Sequence, residues 1–471
     1  MRRLLRRNHS IVRQDVPADW WKACRVTRLS GSELFCLRKK GFTPHHLVLG
    51  SSAQSMGVMN GFLSSWVDTQ GGSNSQITEL IAGARMAATA KLYDEAVERE
   101  ADGVVGTSLQ LVHKANHFEV LAIGSTVLSD GPAAGEHRAE KPATPSVDRD
   151  NWLWSESAVK SSSARAAPFL TACSGEQFYC LLDCGFVPKT VVFGNDAYSR
   201  GLGGFLRSAI GSTVTAGEVP AISDVFNHAR NAALARLRAE AHAMGCPFVS
   251  GVEMQATSWG FVQEVAVRGT ACTHPSLRAP ASPDDVLTSS LAEADLWAVM
   301  EHHGALPAGV VSRTGVFNVG FGGMVESWLR EMQGGEITRY NEVLEQARQS
   351  VMYGLRQDAL ELGAEEIVGL DLEISEVASG LIEVHATGTA VKYGQAVKKP
   401  QPLTDLPPQA LHVSRVGLTE SFGRRSAGKN RSAADVQHGS GKAGSAADAQ
   451  AAVGYNVLNL GLNVLNKMAK K

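Results

Sequence analysis

The chain has little of what usually announces chemistry. Its seven cysteines are an odd set, and no two stand as Cys-x-x-Cys. A disulfide framework is therefore excluded as the organising device, and a reducing compartment is the default. Among its 47 glycines there is no Gly-x-x-x-x-Gly-Lys-Ser/Thr run and no Gly-x-Gly-x-x-Gly between a strand and a helix, so no phosphate loop is read. A formal net charge of −2 argues against a general nucleic-acid binder. Near the start, Leu4-Leu5 is the only apolar pair among Arg2, Arg3, Arg6 and Arg7, far too short for the core of a signal peptide. The expected location is cytoplasmic, with peripheral membrane contact left open.

Repetition is what the chain does have. An Arg is followed ten residues on by an acid, and eleven residues after that by a Gly. The three sets are Arg85, Glu95 and Gly106; Arg230, Glu240 and Gly251; and Arg348, Asp358 and Gly369. A Glu-Val pair then opens a last strand at Glu119, Glu264 and Glu383. One domain has been copied three times. In the third copy Tyr340, Val343, Leu344, Ala347, Val351, Leu355, Ala359 and Leu362 advance by three or four, the period of one helical face. After the helix the period shortens to that of paired strands, so each copy predicts a long helix packed on a small, mainly antiparallel sheet. The fold class is α+β in three tandem repeats, each a β-α-β-β core with an extra short N-terminal helix and enough length for its own core. Ser30 to Glu33 and Ser174 to Gln177 have capping-box spacing at the start of that short helix, and Gly41, Gly185 and Gly304 end it.

An Arg and an acid ten residues apart on one helix lie about 15 Å apart along its axis and cannot pair there. Each Arg is expected to pair with another strand, another repeat or another subunit. A catalytic dyad is disfavoured, because arginine does not shuttle protons.

The third copy resembles the YbjQ-like family of small bacterial proteins, often labelled heavy-metal-binding domains. Gly334-Gly335-Glu336-Ile337, Ala347-Arg348, Leu362-Gly363-Ala364, Ile367-Val368-Gly369 and Gly388-Thr389-Ala390-Val391 carry the likeness. The first copy keeps Gly71-Gly72, Ala84-Arg85 and Gly103-Val104-Val105-Gly106, and the second is the most divergent. The resemblance implies β-α-β-β subunits that form rings, usually pentamers, and it implies a fold more firmly than an activity.

The expected organisation is a basic N-terminal arm (1–21), copy one (22–128), a linker (129–167), copy two (168–272), copy three (284–392), a disordered basic linker (393–446) and an amphipathic helix (447–471). That helix carries Val457, Leu458, Leu460, Leu462, Val464, Leu465 and Met468, with Asn residues as a narrow polar stripe. It is too often interrupted to span a bilayer, and reads as a docking peptide for a protein partner or an anionic membrane surface.

Candidate metal ligands are sparse. Cys180 and Cys184 stand at i, i+4 with Cys173 upstream, a soft-metal face set against the commoner buried, inert cysteine. His113 and His117 flank a hairpin turn, two ligands where a closed zinc site needs four. His45-His46 and His302-His303 read as surface residues. No cofactor is expected beyond a possible metal ion. The function expected is a non-enzymatic scaffold that associates with itself through its repeats; the alternative is a metal-binding or metal-responsive protein.

Overall fold

The computed structural model describes residues 25–55, 72–114, 117–130, 167–199, 216–259, 262–301, 304–319, 338–378 and 381–393. The amphipathic C-terminal helix, the basic arm, residues 131–166 and 394–446 of the two linkers, and His302-His303 lie outside them.

Copy one comprises α1 (Gly31–Lys39), β1 (Phe42–Ser55), β2 (Gly72–Ser73), α2 (Ser75–Glu98), β3 (Gly103–Lys114) and β4 (His117–Ser129). Copy two comprises β5 (Phe169–Leu170), α3 (Gly175–Asp183), β6 (Val187–Ser199), β7 (Gly217–Glu218), α4 (Pro220–Ala243), β8 (Phe248–Trp259) and β9 (Val262–Thr273). Copy three comprises β10 (Leu287–Thr288), α5 (Glu293–Glu301), β11 (Ala305–Asn318), α6 (Thr338–Glu361), β12 (Glu366–Ala378) and β13 (Leu381–Tyr393). The three copies are thus tandem α+β units with one plan.

Local chemistry explains the plan. Ser30 and Ser174 accept from the backbone of Glu33 and Gln177, whose side chains return the bond, so both capping boxes form. The signature glycines Gly106, Gly251 and Gly369 sit at φ of 63°, 60° and 63°. Each falls where the hairpin register slips, between Val105 and Ser108, Ser250 and Glu253, and Val368 and Asp371. A left-handed residue at a β-bulge is most cheaply a glycine. The signature acid has a local task too: Glu95 and Glu240 each accept the backbone N–H of the first strand, from Leu49 and Phe193, at 2.6 Å. The shorter Asp358 instead meets the Arg313 guanidinium at 3.4 Å.

The sheets are larger than the three strands each copy supplies, because neighbours lend short strands. Their orders are β1-β4-β3-β5, β10-β8-β9-β6-β2 and β12-β13-β11-β7. The lead-in to copy two (β5) adds in parallel to β3 of copy one, and the lead-in to copy three (β10) adds in parallel to β8 of copy two. In the other direction β2 of copy one pairs with β6 of copy two, and β7 of copy two with β11 of copy three.

The cores follow the same logic and correct the expectation of one private core per copy. Under α2, the cluster of Ala84, Ala88, Leu92 and Val120 is completed by Leu170 and Val191 of copy two. Under α4, Ala233, Leu237 and Val265 are joined by Val310, Val316 and Leu381 of copy three. Under α6, every member of the cluster belongs to copy three. A further cluster gathers Leu37, Phe42, Phe178, Phe186, Phe248, Leu296 and Trp297 from all three copies. Apolar burial on this scale is the main cohesive force, so the three units stand or fall as neighbours.

Candidate functional site

The two seams between copies are where the signature charges meet. At the first seam Arg85, on α2, donates from both terminal nitrogens to Glu264 of copy two, at 2.5 and 3.0 Å. Asn195 adds a third donor to the same carboxylate at 3.1 Å. At the second seam Arg230, on α4, donates to Glu383 of copy three at 2.8 Å. Both pairs are buried, so each charge depends on the other for the solvation it has lost. The third Arg has no such partner within its own copy order. Arg348 is exposed and pairs with Glu345 on its own helix at 2.7 Å, and its side chain stays 45 % accessible.

Backbone links reinforce both seams in register. Thr78 Oγ1 accepts the N–H of Ala197, and Ser223 Oγ accepts that of Val316. The short helices α1 and α3 lie side by side as well: Gly175 N–H donates to Glu33, Ser32 donates to Glu176, and Lys40 pairs with Asp183.

The seams differ in filling. At the first, Phe118 is buried with Ile77, Ile81 and Ala197, and Leu111 packs on them. At the second, the same places in the repeat hold Gln263 and Ala256, and a cavity of about 580 Å³ opens there. Arg230, Gln263 and Glu383 are its buried lining, while Glu373 and Glu376 are exposed. His385 stands in the wall, its ring nitrogens bonded to Thr314 and Thr387 at 2.9 and 2.8 Å. Burial, helped by the nearby Arg230 charge, pushes its pKa down to about 3, so it is neutral at pH 7.

The metal candidates are placed differently from a ligand set. Cys173, Cys180 and Cys184 are all buried and free. Burial raises the thiol pKa of Cys173 and Cys184 well above the ordinary value, and that of Cys180 to about 12. A soft metal binds the thiolate, which these surroundings oppose. Cys173 Sγ instead donates to the buried Glu293 carboxylate at 3.2 Å. His113 and His117 lie on facing strands, opposite Phe118 and Lys114 respectively. Among the described residues no group of three or more His, Cys, Asp or Glu gathers to hold a metal ion. The described residues do not fit a heavy-metal site. His46 also departs from expectation. It is buried, with its backbone bonded both ways to Thr126 Oγ1, because it falls on the inward side of β1 in phase with Phe42, Pro44 and Val48.

Sequence reasoning named Arg85, Arg230 and Arg348 and their place outside any dyad, but it left their partners open. It missed the cavity, although aligning the copies shows the signal: Phe118 becomes Gln263 and Leu111 becomes Ala256.

Comparison with known proteins agrees with this architecture. A family model described as "Putative heavy-metal-binding" matches residues 41–130, 186–274 and 299–394. An encapsulin nanocompartment protein of Mycobacterium tuberculosis is 27% identical over 267 residues, 55% of this chain and 89% of that protein. A UPF0145 protein of Methanocella arvoryzae is 40% identical over 72 residues, 15% of this chain and 60% of its own length. A UPF0145 protein of Halobacterium salinarum is 43% identical over 63 residues, 13% of this chain and 61% of its own length. None of these three names denotes an enzyme. With the family model matched in three segments that together exceed half its length, the chain belongs to the YbjQ-like (UPF0145) family and carries the family domain three times.

Proposed function

We propose that this protein is a non-catalytic structural subunit that assembles head to tail, its three copies being consecutive positions in a longer series. One observation carries the reading: the same seam is built twice inside the chain, and its two halves are repeated at the ends. On the trailing side of copy three, β12 presents Leu370, Leu372 and Ile374 at 45, 37 and 45 % exposure. In the preceding copies Thr107 and Val252, the counterparts of Leu370, are 1 and 4 % exposed beneath a neighbour's lead-in strand. On the leading side of copy one, Val26 is 52 % exposed, where its counterparts Leu170 and Thr288 are 3 and 0 % exposed. A strand edge with apolar side chains recruits a further strand. A heterologous contact of this kind repeats until it closes or runs on as a filament. The name of the mycobacterial relative, a nanocompartment protein, favours an assembling role over a solitary one.

Multi-angle light scattering over a micromolar range tests it. The expected result is a multiple of the single-chain mass that falls on dilution. A single-chain mass at every concentration would overturn the reading. Residues 447–471 add a second element to the proposal, a peptide that docks in the groove of a partner or sister subunit, supported by the apolar face of Val457, Leu460, Val464 and Met468. Deleting them should leave the thermal transition of the body unchanged while removing self-association, partner capture or liposome binding. A truncated chain that matches the full one in all three assays would sink the docking role.

A further inference from the structure

We propose that the second seam is a binding site for a small zwitterion of the amino-acid class, received between β8 and β9 of copy two and β12 and β13 of copy three. Three observations meet there. A cavity of about 580 Å³ lies at this seam, where Gln263 and Ala256 stand in the places that Phe118 and Leu111 fill at the first. Loss of two apolar fillers at one seam, with retention of the charge pair at both, removes packing without removing the scaffold. Second, Arg230 lines the cavity and is 5 % exposed, and its Nη1 is buried with no hydrogen-bond partner among the described residues. At the first seam the equivalent Arg85 uses both terminal nitrogens. A buried guanidinium N–H without an acceptor costs free energy that a ligand oxygen recovers. Third, the exposed part of the lining carries two carboxylates, Glu373 and Glu376, which suit an ammonium.

The polarity runs from donor to acceptor. The buried end offers the Arg230 guanidinium, so it takes an oxygen acceptor. The Arg230–Glu383 pair is close to neutral as a unit, so a carboxylate there meets a hydrogen-bond donor without a large opposing charge. The open end is acidic and takes the amine. His385 contributes a neutral, fixed wall, since both its nitrogens are occupied by Thr314 and Thr387. A simple diamine satisfies only the open end, and a simple carboxylate only the buried end. A molecule carrying both groups satisfies the two together.

Isothermal titration calorimetry of the full chain with L-lysine, L-arginine and L-glutamate tests the assignment, with cadaverine and hexanoate as single-ended probes. At least one of the three amino acids should bind saturably, and the single-ended probes should bind about tenfold more weakly or worse, each lacking one anchor. The double variant A256L/Q263F, which restores the fillers of the first seam, should lose that binding. E376Q, at an exposed position, should weaken it several-fold with the thermal transition unchanged, which keeps the test decisive should the double variant fold poorly. Absence of saturable binding by all three amino acids overturns the proposal. So does equal binding of a single-ended probe, or undiminished binding by E376Q and the filled variant.

Discussion

The first and second seams are built on one template and differ in how completely it is filled. The first has a two-pronged Arg85–Glu264 bridge reinforced by Asn195, under a plug of Phe118 and Leu111. The second has a single-pronged Arg230–Glu383 bridge, with Thr314 and His385 where the first has Asn195 and Ala266. The signature Arg and Glu are therefore the fixed part of the joint. The apolar plug is the part free to vary, because the backbone links and the charge pair hold the copies in register without it. The end surfaces extend the comparison to a third case, in which the Arg is exposed.

Removing the charge from each Arg should rank the three cases, and this is the largest effect expected. Arg85→Met strands Glu264 at 1 % exposure and should cost about 3–5 kcal/mol in denaturant unfolding. Arg230→Met should cost less, since one of its terminal nitrogens is already without a partner. Arg348→Met should change single-chain stability by no more than about 0.5 kcal/mol, as exposed substitutions do. Equal losses at Arg85 and Arg348 would break the comparison.

The second expected effect is on pH dependence, to which the second copy and its seam with the third contribute two opposed groups. His385 has its pKa lowered to about 3 from 6.5, so the unfolded chain binds the extra proton first as pH falls. Its contribution is complete above pH 6.5 and is lost towards the folded value, at about 1.4 kcal/mol per pH unit. His385→Ala should flatten that acid limb, having copied the alanine found at the first seam. Glu240 works in the opposite direction. Burial raises its pKa to about 7 from 4.5, so its contribution is complete below pH 4.5 and fades as pH rises through 7. Glu240→Gln should flatten that limb. Melting curves across pH 4 to 8 read both, and unchanged slopes would remove the assigned groups.

The smallest effect is the gain on filling. Gln263→Phe should add about 1–2 kcal/mol by burying a ring beside Phe226 and Val316, if the cavity accepts it as the first seam accepts Phe118. A loss of that size would mean the second seam is shaped around its polar lining.

Much of the fold was legible in the sequence because it rests on local rules. The bulge glycines, the capping boxes of Ser30 and Ser174, and the stripe of the long helices are each decided within a few residues of themselves. Seam partners were not legible, since Arg85 and Glu264 are 179 residues apart and only the topology brings them together. Shared cores were missed for the same reason: the stripe on α2 shows that it packs, but not that Val191 of the next copy completes the packing. His46 was misread because the His45-His46 pair was taken as one surface feature, whereas alternation along β1 buries His46 with Phe42, Pro44 and Val48. The second-seam cavity leaves a faint trace, the replacement of Phe118 by Gln263, visible only when the copies are set side by side.

Exchange of charge across the open ends tests head-to-tail assembly most directly. In the intramolecular series Arg85 meets Glu264 and Arg230 meets Glu383, so Arg348 falls to Glu119 of a second copy. The native mass is to be measured for the wild-type chain, for Arg348→Glu, for Glu119→Arg, and for an equal mixture of the two variants. The expected result is a multimer for the wild type, single chains for each variant alone, and association restored on mixing, where the variant Glu at 348 of one chain faces the variant Arg at 119 of the other. Wild-type mass retained by Arg348→Glu, or two variants that stay single when mixed, would contradict the account.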